Sequence, residues 1–361
     1  MENAWKKYAG NLDPVMNFGK DYIDFMTLSK TERETVDNSI KIAEKAGFKD
    51  LNTVSELKAG DKVYFNNRGK SLFLFVLGKE DLAKGLNILG AHVDSPRLDL
   101  KQHPLYEDSG LVLLDTHYYG GIKKYQWVAQ PLALHGVVCK KDGSLVKVVI
   151  GESEDDPVVG VSDLLIHLAA DQMKKTGSNV VEGEDLNVLF GSIPAATEED
   201  EKELVKKNIL NLLKEKYDIE EDDFISAEIE VVPAGKARDY GFDRSMVMAY
   251  GQDDNVCAYT SLRAIVEEEN PERTSCCILS DKEEVGSQGN TGMHSSAFEN
   301  TLAELMDKCG QYSELNIRRC LRNSMMLSSD VSAAHDPNYP SVSSPNQNNA
   351  EFGKGIVFNK Y

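Results

Sequence analysis

Nowhere among the 361 residues do apolar side chains run on for the 18 or so positions needed to cross a bilayer. The opening, MENAWKKYAGNLDP, lacks the apolar core of a signal peptide. Positive charge is scarce. Forty Lys and Arg face 59 Asp and Glu, for a net charge of -19. A nucleic-acid binder needs a basic face and an anionic membrane attracts one, so neither partner is expected. Acidic ligands are disfavoured too, unless a local cation reverses the field. Cysteine pairing signals are missing as well. Cys139, Cys257, Cys276, Cys277, Cys309 and Cys320 show no CxxC spacing, and Cys276-Cys277 sits in an apolar run. They read as reduced thiols, and the expected location is the cytoplasm. There is no internal repeat and no low-complexity tract.

What is present is ordinary for a globular chain: 41% hydrophobic and 27% charged residues, at a length that fits two domains or one large one. The first 50 residues read as helical, with Thr31-Glu-Arg-Glu opening an amphipathic run that stops at Ala46-Gly47. Strand-length apolar runs follow at Lys62-Val-Tyr-Phe, Ser71-Leu-Phe-Leu-Phe-Val-Leu and Leu86-Asn-Ile-Leu-Gly-Ala. From Gly110 to Ile150 the pattern stays β, with Leu111-Val-Leu-Leu, Trp127-Val-Ala, Leu134-His-Gly-Val-Val and Leu145-Val-Lys-Val-Val-Ile as strands. Lys141-Asp-Gly-Ser makes a hairpin turn. Helices are expected over 163–175 and in the charged stretch 197–222, and a strand at Ala227-Glu-Ile-Glu-Val-Val-Pro.

Beyond that point strands and helices alternate: helix 254–268, strand 274–280, helix 296–322, strand 324–329. This predicts an α/β fold with a mainly parallel sheet and helices on both faces. Residues 341–352 read as a polar loop, and the run from Gly355 as a final strand.

Four segments place acids or histidine directly after apolar strands, where open α/β sheets bind ligands. They are Gly90-Ala-His92-Val-Asp94-Ser-Pro-Arg97, Tyr250-Gly-Gln-Asp253-Asp254-Asn255, Ser280-Asp281-Lys282-Glu283-Glu284-Val285-Gly286 and Ser328-Ser329-Asp330-Val331. Each has a plain alternative: a hydrogen-bonded strand-end histidine, a helix cap, surface charge, a turn residue. Together they suit two divalent ions of zinc type held by N and O ligands. His92 can bind metal while Asp94, two residues on, fixes its imidazole. Asp254 is placed to bridge two cations. Of the adjacent glutamates, one can bind metal while the other takes a proton from water.

AHVDSPRLDLK, GQDDN, SDKEEVGSQG and SSDVSAAHDPNYP resemble the M18 metallopeptidases, the aspartyl aminopeptidase group, along essentially the whole chain. The resemblance implies a dinuclear zinc exopeptidase, with cobalt or manganese as substitutes, that removes N-terminal residues from peptides. In it His92, Asp254 and Asp330 would form one metal site and Glu284 would bind the second ion. Glu283 would be the general base and Asp94 would orient His92. It also implies a catalytic domain of residues 1–102 and 236–361, interrupted by an inserted β-rich dimerisation domain at 103–235. Dimers would assemble further, typically into a dodecamer. His167, in Ile166-His167-Leu168, would serve the active site as a metal ligand or across the dimer, or else be structural. His103, His117, His135, His294 and His335 read as structural.

The family pattern continues past Tyr361 with a segment whose final histidine pairs with Glu284. The expectation for this chain is one tight and one weak metal site with little activity, with the shown residues part of a longer protein as the alternative. N-terminal Asp or Glu would need a cationic partner, for which Lys236, Arg238 and Arg244 are candidates. A related dinuclear deacylase or carboxypeptidase, and a catalytically silent shell subunit, are the competing readings.

Overall fold

The structure is a computed structural model that describes residues 2–196, 202–343 and 350–359. Three helices lead: α1 (Ala4–Lys7), α2 (Asp13–Leu28) and α3 (Glu32–Lys45). The Thr31 hydroxyl accepts from the Glu34 N–H and caps α3, which ends at Ala46-Gly47 with Gly47 at φ +90. Strands β1 (Lys49–Asp50), β2 (Lys62–Asn67), β3 (Ser71–Val76) and β4 (Asn87–His92) follow.

The chain then builds a second sheet from β5 (Arg97–Asp108), β6 (Leu111–Tyr119), β7 (Leu132–Cys139), β8 (Leu145–Ile150), β9 (Val188–Gly191) and, after α4 (Leu204–Tyr217), β10 (Ala227–Pro233). A hairpin, β11 (Arg238–Tyr240) and β12 (Met246–Met248), leads back to α5 (Gln252–Glu267) and β13 (Ser275–Ser280). Last come α6 (Ala297–Lys308), α7 (Glu314–Asn323) and β14 (Met325–Ser328).

The first sheet has the order β1-β2-β3-β13-β4-β14. Pairing is parallel at β1-β2 and across β13-β4-β14, and antiparallel across β2-β3-β13. Alternation along β3 and β13 explains why both read as unbroken apolar runs. Leu72, Leu74, Val76, Cys277 and Leu279 pack with α2, α3 and α5, around Tyr259. Phe73, Phe75, Cys276 and Ile278 pack on the other face with Leu302, Leu305, Met306 and Ile317 of α6 and α7. The fold is α/β, with helices on both faces of this sheet. The same alternation sends Cys276 and Cys277 into different cores, and all six cysteines are free.

The second sheet, ordered β8-β7-β10-β5-β6-β9, is antiparallel throughout and carries its own core of Leu98, Leu114, Leu132, Leu134, Val231 and the α4 residues Val205, Ile209 and Leu213. β5 already belongs to it from Arg97, ahead of position 103 where the inserted unit is expected to start.

Four local expectations need correction. Residues 163–175 hold turns and one short 3-10 turn instead of a helix. Leu164, Leu165, Ile166 and Leu168 are 53%, 68%, 69% and 70% exposed, so among the described residues these four side chains find little apolar surface to pack on. A helix of that length is not stable without such packing. Trp127-Val-Ala is not a strand; Val128 forms only an isolated bridge with Val161. Helix 296–322 is broken into α6 and α7 at Gly310, which takes φ +66, and Ser313 caps the second piece. Residues 355–359 form no strand. Residues 197–201 of the charged stretch, 344–349 of the polar loop, and the last two positions of the terminal run lie outside the described residues.

The two sheets are joined by buried charge. His135 of β7 lies between Glu34 of α3 (Nδ1–Oε1 3.1 Å) and Glu152 (Nε2–Oε1 3.0 Å), and Lys30 Nζ meets Glu152 at 2.5 Å. Lys147 also reaches Glu34, at 3.3 Å. Burial lowers the His135 pKa, but its bonds to Glu152 and Glu34 outweigh burial and raise it. The protonated ring therefore favours the folded state. This contribution is full below the unfolded value of about 6.5 and fades as pH rises through the folded value. His135→Gln is expected to cost about 2 kcal/mol at pH 6, a penalty that shrinks toward pH 9. Urea unfolding of both proteins across that range checks this; a penalty that grows with pH would contradict it.

Candidate active site

The ends of three neighbouring strands collect the motifs. β13 pairs in register with β4 so that Ser280 lies beside His92, and Val93 N–H donates to the Ser280 carbonyl at 2.9 Å. On the other side β14 sets Ser328 beside Gly90, and Ser329 N–H donates to Gly90 at 2.7 Å. The residues that follow each strand therefore emerge at one edge of the sheet. The first turn of α5, which packs on β4, adds Asp253 and Asp254.

His92 is buried at this edge. Its Nδ1 lies 3.0 Å from the Asp94 carbonyl and 3.3 Å from Asp94 Oδ1. Two acceptors there place the proton on Nδ1 and turn Nε2 toward the cluster. Nε2 is 3.2 Å from Asp253 Oδ1 and 3.8 Å from Glu283 Oε2. His92, Asp253 and Asp330 bring ligand atoms within 4.8 Å of one another, and so do His92, Glu283 and Glu284.

Asp94 is wholly buried, at 0% exposure. Its Oδ1 accepts the Glu283 N–H and its Oδ2 the Glu284 N–H, each at 3.1 Å, and the Tyr119 hydroxyl donates to Oδ2 at 2.8 Å. Burial pushes its pKa up, but the bonds from His92 and Tyr119 outweigh burial and hold it below the usual carboxylate range.

Asp254 is the residue expected to bridge two cations. It is also at 0% exposure, and Oδ2 accepts the His92 backbone N–H at 3.3 Å. It belongs to neither ligand cluster; Asp253 does. The reason is local. Non-helical φ/ψ at Asp253 and Asp254 interrupts the start of α5, so the two neighbouring side chains diverge, one into the cluster and one beneath β4. Nothing in an Asp-Asp-Asn string distinguishes these directions. His167 is exposed on a turn of the 163–175 segment and joins neither cluster. Of the histidines read as structural, His135 has its ion pairs, His294 meets Gln288 and His335 meets Ser343.

No ion is present, so the fit to one rests on the donors themselves. Burial pushes the Asp254 carboxyl up to about 7. Burial and then the Asp253 charge push Glu284 up to about 7. Asp253 is raised by burial as well. Burial lowers the His92 pKa, yet Asp94, Asp254 and Glu283 more than compensate and lift it to about 9. Asp254 Oδ1, buried, has no hydrogen-bond partner. Carboxyls pushed up at Asp253, Asp254 and Glu284 beside an imidazole pushed up at His92 mark a place short of positive charge. Imidazole and carboxylate are ligands that zinc accepts, so the residues fit that ion.

A metal-dependent hydrolase is the class these features define: an N and O donor set at the strand ends of an α/β sheet, with a half-exposed carboxylate beside it. Comparison with known proteins then supplies the family. The model described as Aminopeptidase I zinc metalloprotease (M18) matches residues 25–361, and the chain belongs to that family. A probable M18 family aminopeptidase 1 of Clostridium acetobutylicum is 60% identical over 365 residues, covering 100% of this chain and 78% of that protein. The crystal structure of the Thermotoga maritima M18 aminopeptidase superimposes with a TM-score of 0.92 at 42% identity, over 98% of this chain and 77% of that one. A structure of the S. cerevisiae mApe1 dodecamer, at 21% identity and a TM-score of 0.72 over 92% and 76% of the two chains, shares the fold. The chain is accordingly a peptide hydrolase of the aminopeptidase type, in a family that uses zinc. No helix among the described residues is long and apolar enough to cross a membrane.

The two adjacent aspartates can be separated by titration with zinc. Asp253→Asn is expected to weaken zinc binding by more than about 100-fold and Asp254→Asn by about 10-fold, the range for a residue behind a ligand. The reverse order, in competition with a chromophoric chelator, would make Asp254 the metal-binding residue of the two.

Proposed function

We propose that the chain releases the N-terminal residue of peptides at a two-zinc centre. In this reading His92, Asp253 and Asp330 would hold one ion, Glu284 would help hold the second, and Glu283 would be the general base. The observation that carries it is the convergence of His92 Nε2, Asp253, Asp330, Glu283 and Glu284 at the strand ends, with no other such cluster among the described residues. Bound zinc supplies polarisation of the scissile carbonyl and acidification of water.

The chain's own residues do the rest. Glu283 is half exposed, its side chain at 51%, so it can reach an attacking water, accept its proton and return that proton to the leaving amine. Asp94 holds the Glu283 and Glu284 backbone and the His92 ring in register. The acidic cluster attracts the α-ammonium group of a peptide, which favours a free N-terminus over a C-terminal carboxylate.

A preference for an acidic first residue belongs to the same reading and requires a cation nearby. Lys282 precedes Glu283 directly, while Lys236, Arg238 and Arg244 lie in or beside the β11-β12 hairpin, where Arg244 meets Asp239 at 3.4 Å. We read residues 103–235 as the dimerisation domain, supported by the exposed Leu164, Leu165, Ile166 and Leu168 and by the dodecamer of the yeast relative. The six free cysteines support a cytoplasmic location.

Peptides beginning with Asp, Glu, Leu, Lys and Ala, supplied with zinc, test the activity. Release of the first residue should fall at least about 100-fold in Glu283→Gln while zinc still binds. Undiminished release in that variant, or release from the C-terminus, would overturn the reading. Light scattering after size exclusion should report a multiple of the 40.0 kDa chain. A monomer at all concentrations would remove the dimerisation role.

A further inference from the structure

The second sheet reaches the candidate ligand cluster at the end of β6. β6 ends on Tyr119, and Gly120 follows at φ +69. Tyr119 pairs across the strands with Arg97, whose guanidinium lies over the phenol ring at 3.8 Å. Arg97 is in turn held by Asp99 at 2.9 Å, Glu230 at 3.3 Å and Glu32 at 3.5 Å. The ring is therefore clamped, and its hydroxyl is aimed at Asp94 Oδ2, 2.8 Å away. A phenol keeps its proton at neutral pH, so Tyr119 is the donor.

Asp94 is the hub of the site. Its two oxygens hold the Glu283 and Glu284 amides and face the His92 Nδ1 proton. Without the hydroxyl, Oδ2 keeps a single donor, and a buried carboxylate with a missing partner moves to find another. Any rotation of Asp94 is passed to the His92 ring and to the Glu283-Glu284 turn. Gly120 makes the second contact. A Cβ there would lie 3.3 Å from Glu284 Cβ and 3.5 Å from Glu284 Oε2. A side chain at position 120 would therefore press on Glu284.

We infer that Tyr119 is a positioning residue for the metal cluster, and that the Tyr119-Gly120 end of β6 couples docking of the second sheet to the geometry of His92, Glu283 and Glu284. The inference rests on the reading of His92 and Glu284 as ligands. It adds a contribution from the β-rich unit to the site within the same chain.

Tyr119→Phe keeps the ring and its stacking on Arg97 and removes one oxygen. In the full chain it is expected to weaken zinc binding roughly 10-fold, at the low end for groups behind a ligand. The visible absorption bands of the cobalt-loaded protein should shift, because the His92 ring reorients. At saturating zinc, kcat should fall with KM unchanged, since Tyr119 touches no substrate. Gly120→Ala approaches from the other side and should also weaken zinc binding, through Glu284. His92→Ala is the reference. Wild-type zinc affinity and cobalt spectrum in both Tyr119→Phe and Gly120→Ala, beside lost binding in His92→Ala, would overturn the coupling alone. Unchanged zinc binding in His92→Ala would overturn the ligand reading and the coupling with it.

Discussion

One buried carboxylate organises this site. Asp94 has no solvent contact, and each of its oxygens is used: the backbone of Glu283 and Glu284, the Tyr119 hydroxyl and the His92 imidazole all turn to it. A lone buried carboxylate would be costly. Several charge-assisted hydrogen bonds reverse that cost and in doing so fix three elements against one another: the end of β4, the turn after β13 and the end of β6. Under the proposed reading, this arrangement keeps the candidate ligands and base close to rigid strand ends.

Around that hub the charges are arranged in opposite ways on two sides. The open side gathers His92, Asp253, Asp330, Glu283 and Glu284, mostly acids, with too little positive charge of its own. The closed side, between the sheets, balances its charges internally. Arg97 meets Glu32, Asp99 and Glu230, and Lys70 Nζ meets Glu32 Oε1 at 2.9 Å. Burial pushes Glu230 well above the usual carboxylate range. Burial also opposes ionisation of Glu32, but Arg97 and Lys70 outweigh it and hold that group low. A protonated and an ionised glutamate can then share the space beside Arg97. Such a network adds little net stability, but it is intolerant of misalignment and so sets how the two sheets meet. Unbalanced charge marks the place where a cation belongs, and balanced charge marks a structural joint.

The apolar framework is simpler and was largely legible in the residue pattern. β3 and β13 alternate between two cores, so near-continuous apolar runs were the correct signature of a buried central strand. The motifs that follow such runs could be ranked as site candidates from position alone, and His92, Asp94, Glu283, Glu284 and Asp330 do come together. The 163–175 segment shows the limit of the same reasoning. Its Leu164-Leu-Ile-His-Leu pattern has helical content, but a helix of that length depends on a surface to cover, and the described residues leave its apolar side chains exposed.

The sequence by itself determined the α/β class, the order of the strands that lead to the candidate site and the acidic, nitrogen-poor character of that cluster. Those properties follow from local periodicity and residue type, which each segment carries with it. Tertiary structure alone decided three matters. It turned Asp253 toward His92 and Asp330 and Asp254 toward the His92 backbone, through the irregular backbone at the start of α5. It brought Tyr119 to Asp94, across 25 positions and two sheets. It began β5 at Arg97, so that the guanidinium sits between the sheets. Each depends on where a side chain points once distant segments have packed. That direction is set by the summed contacts of many residues, which no single stretch of chain contains.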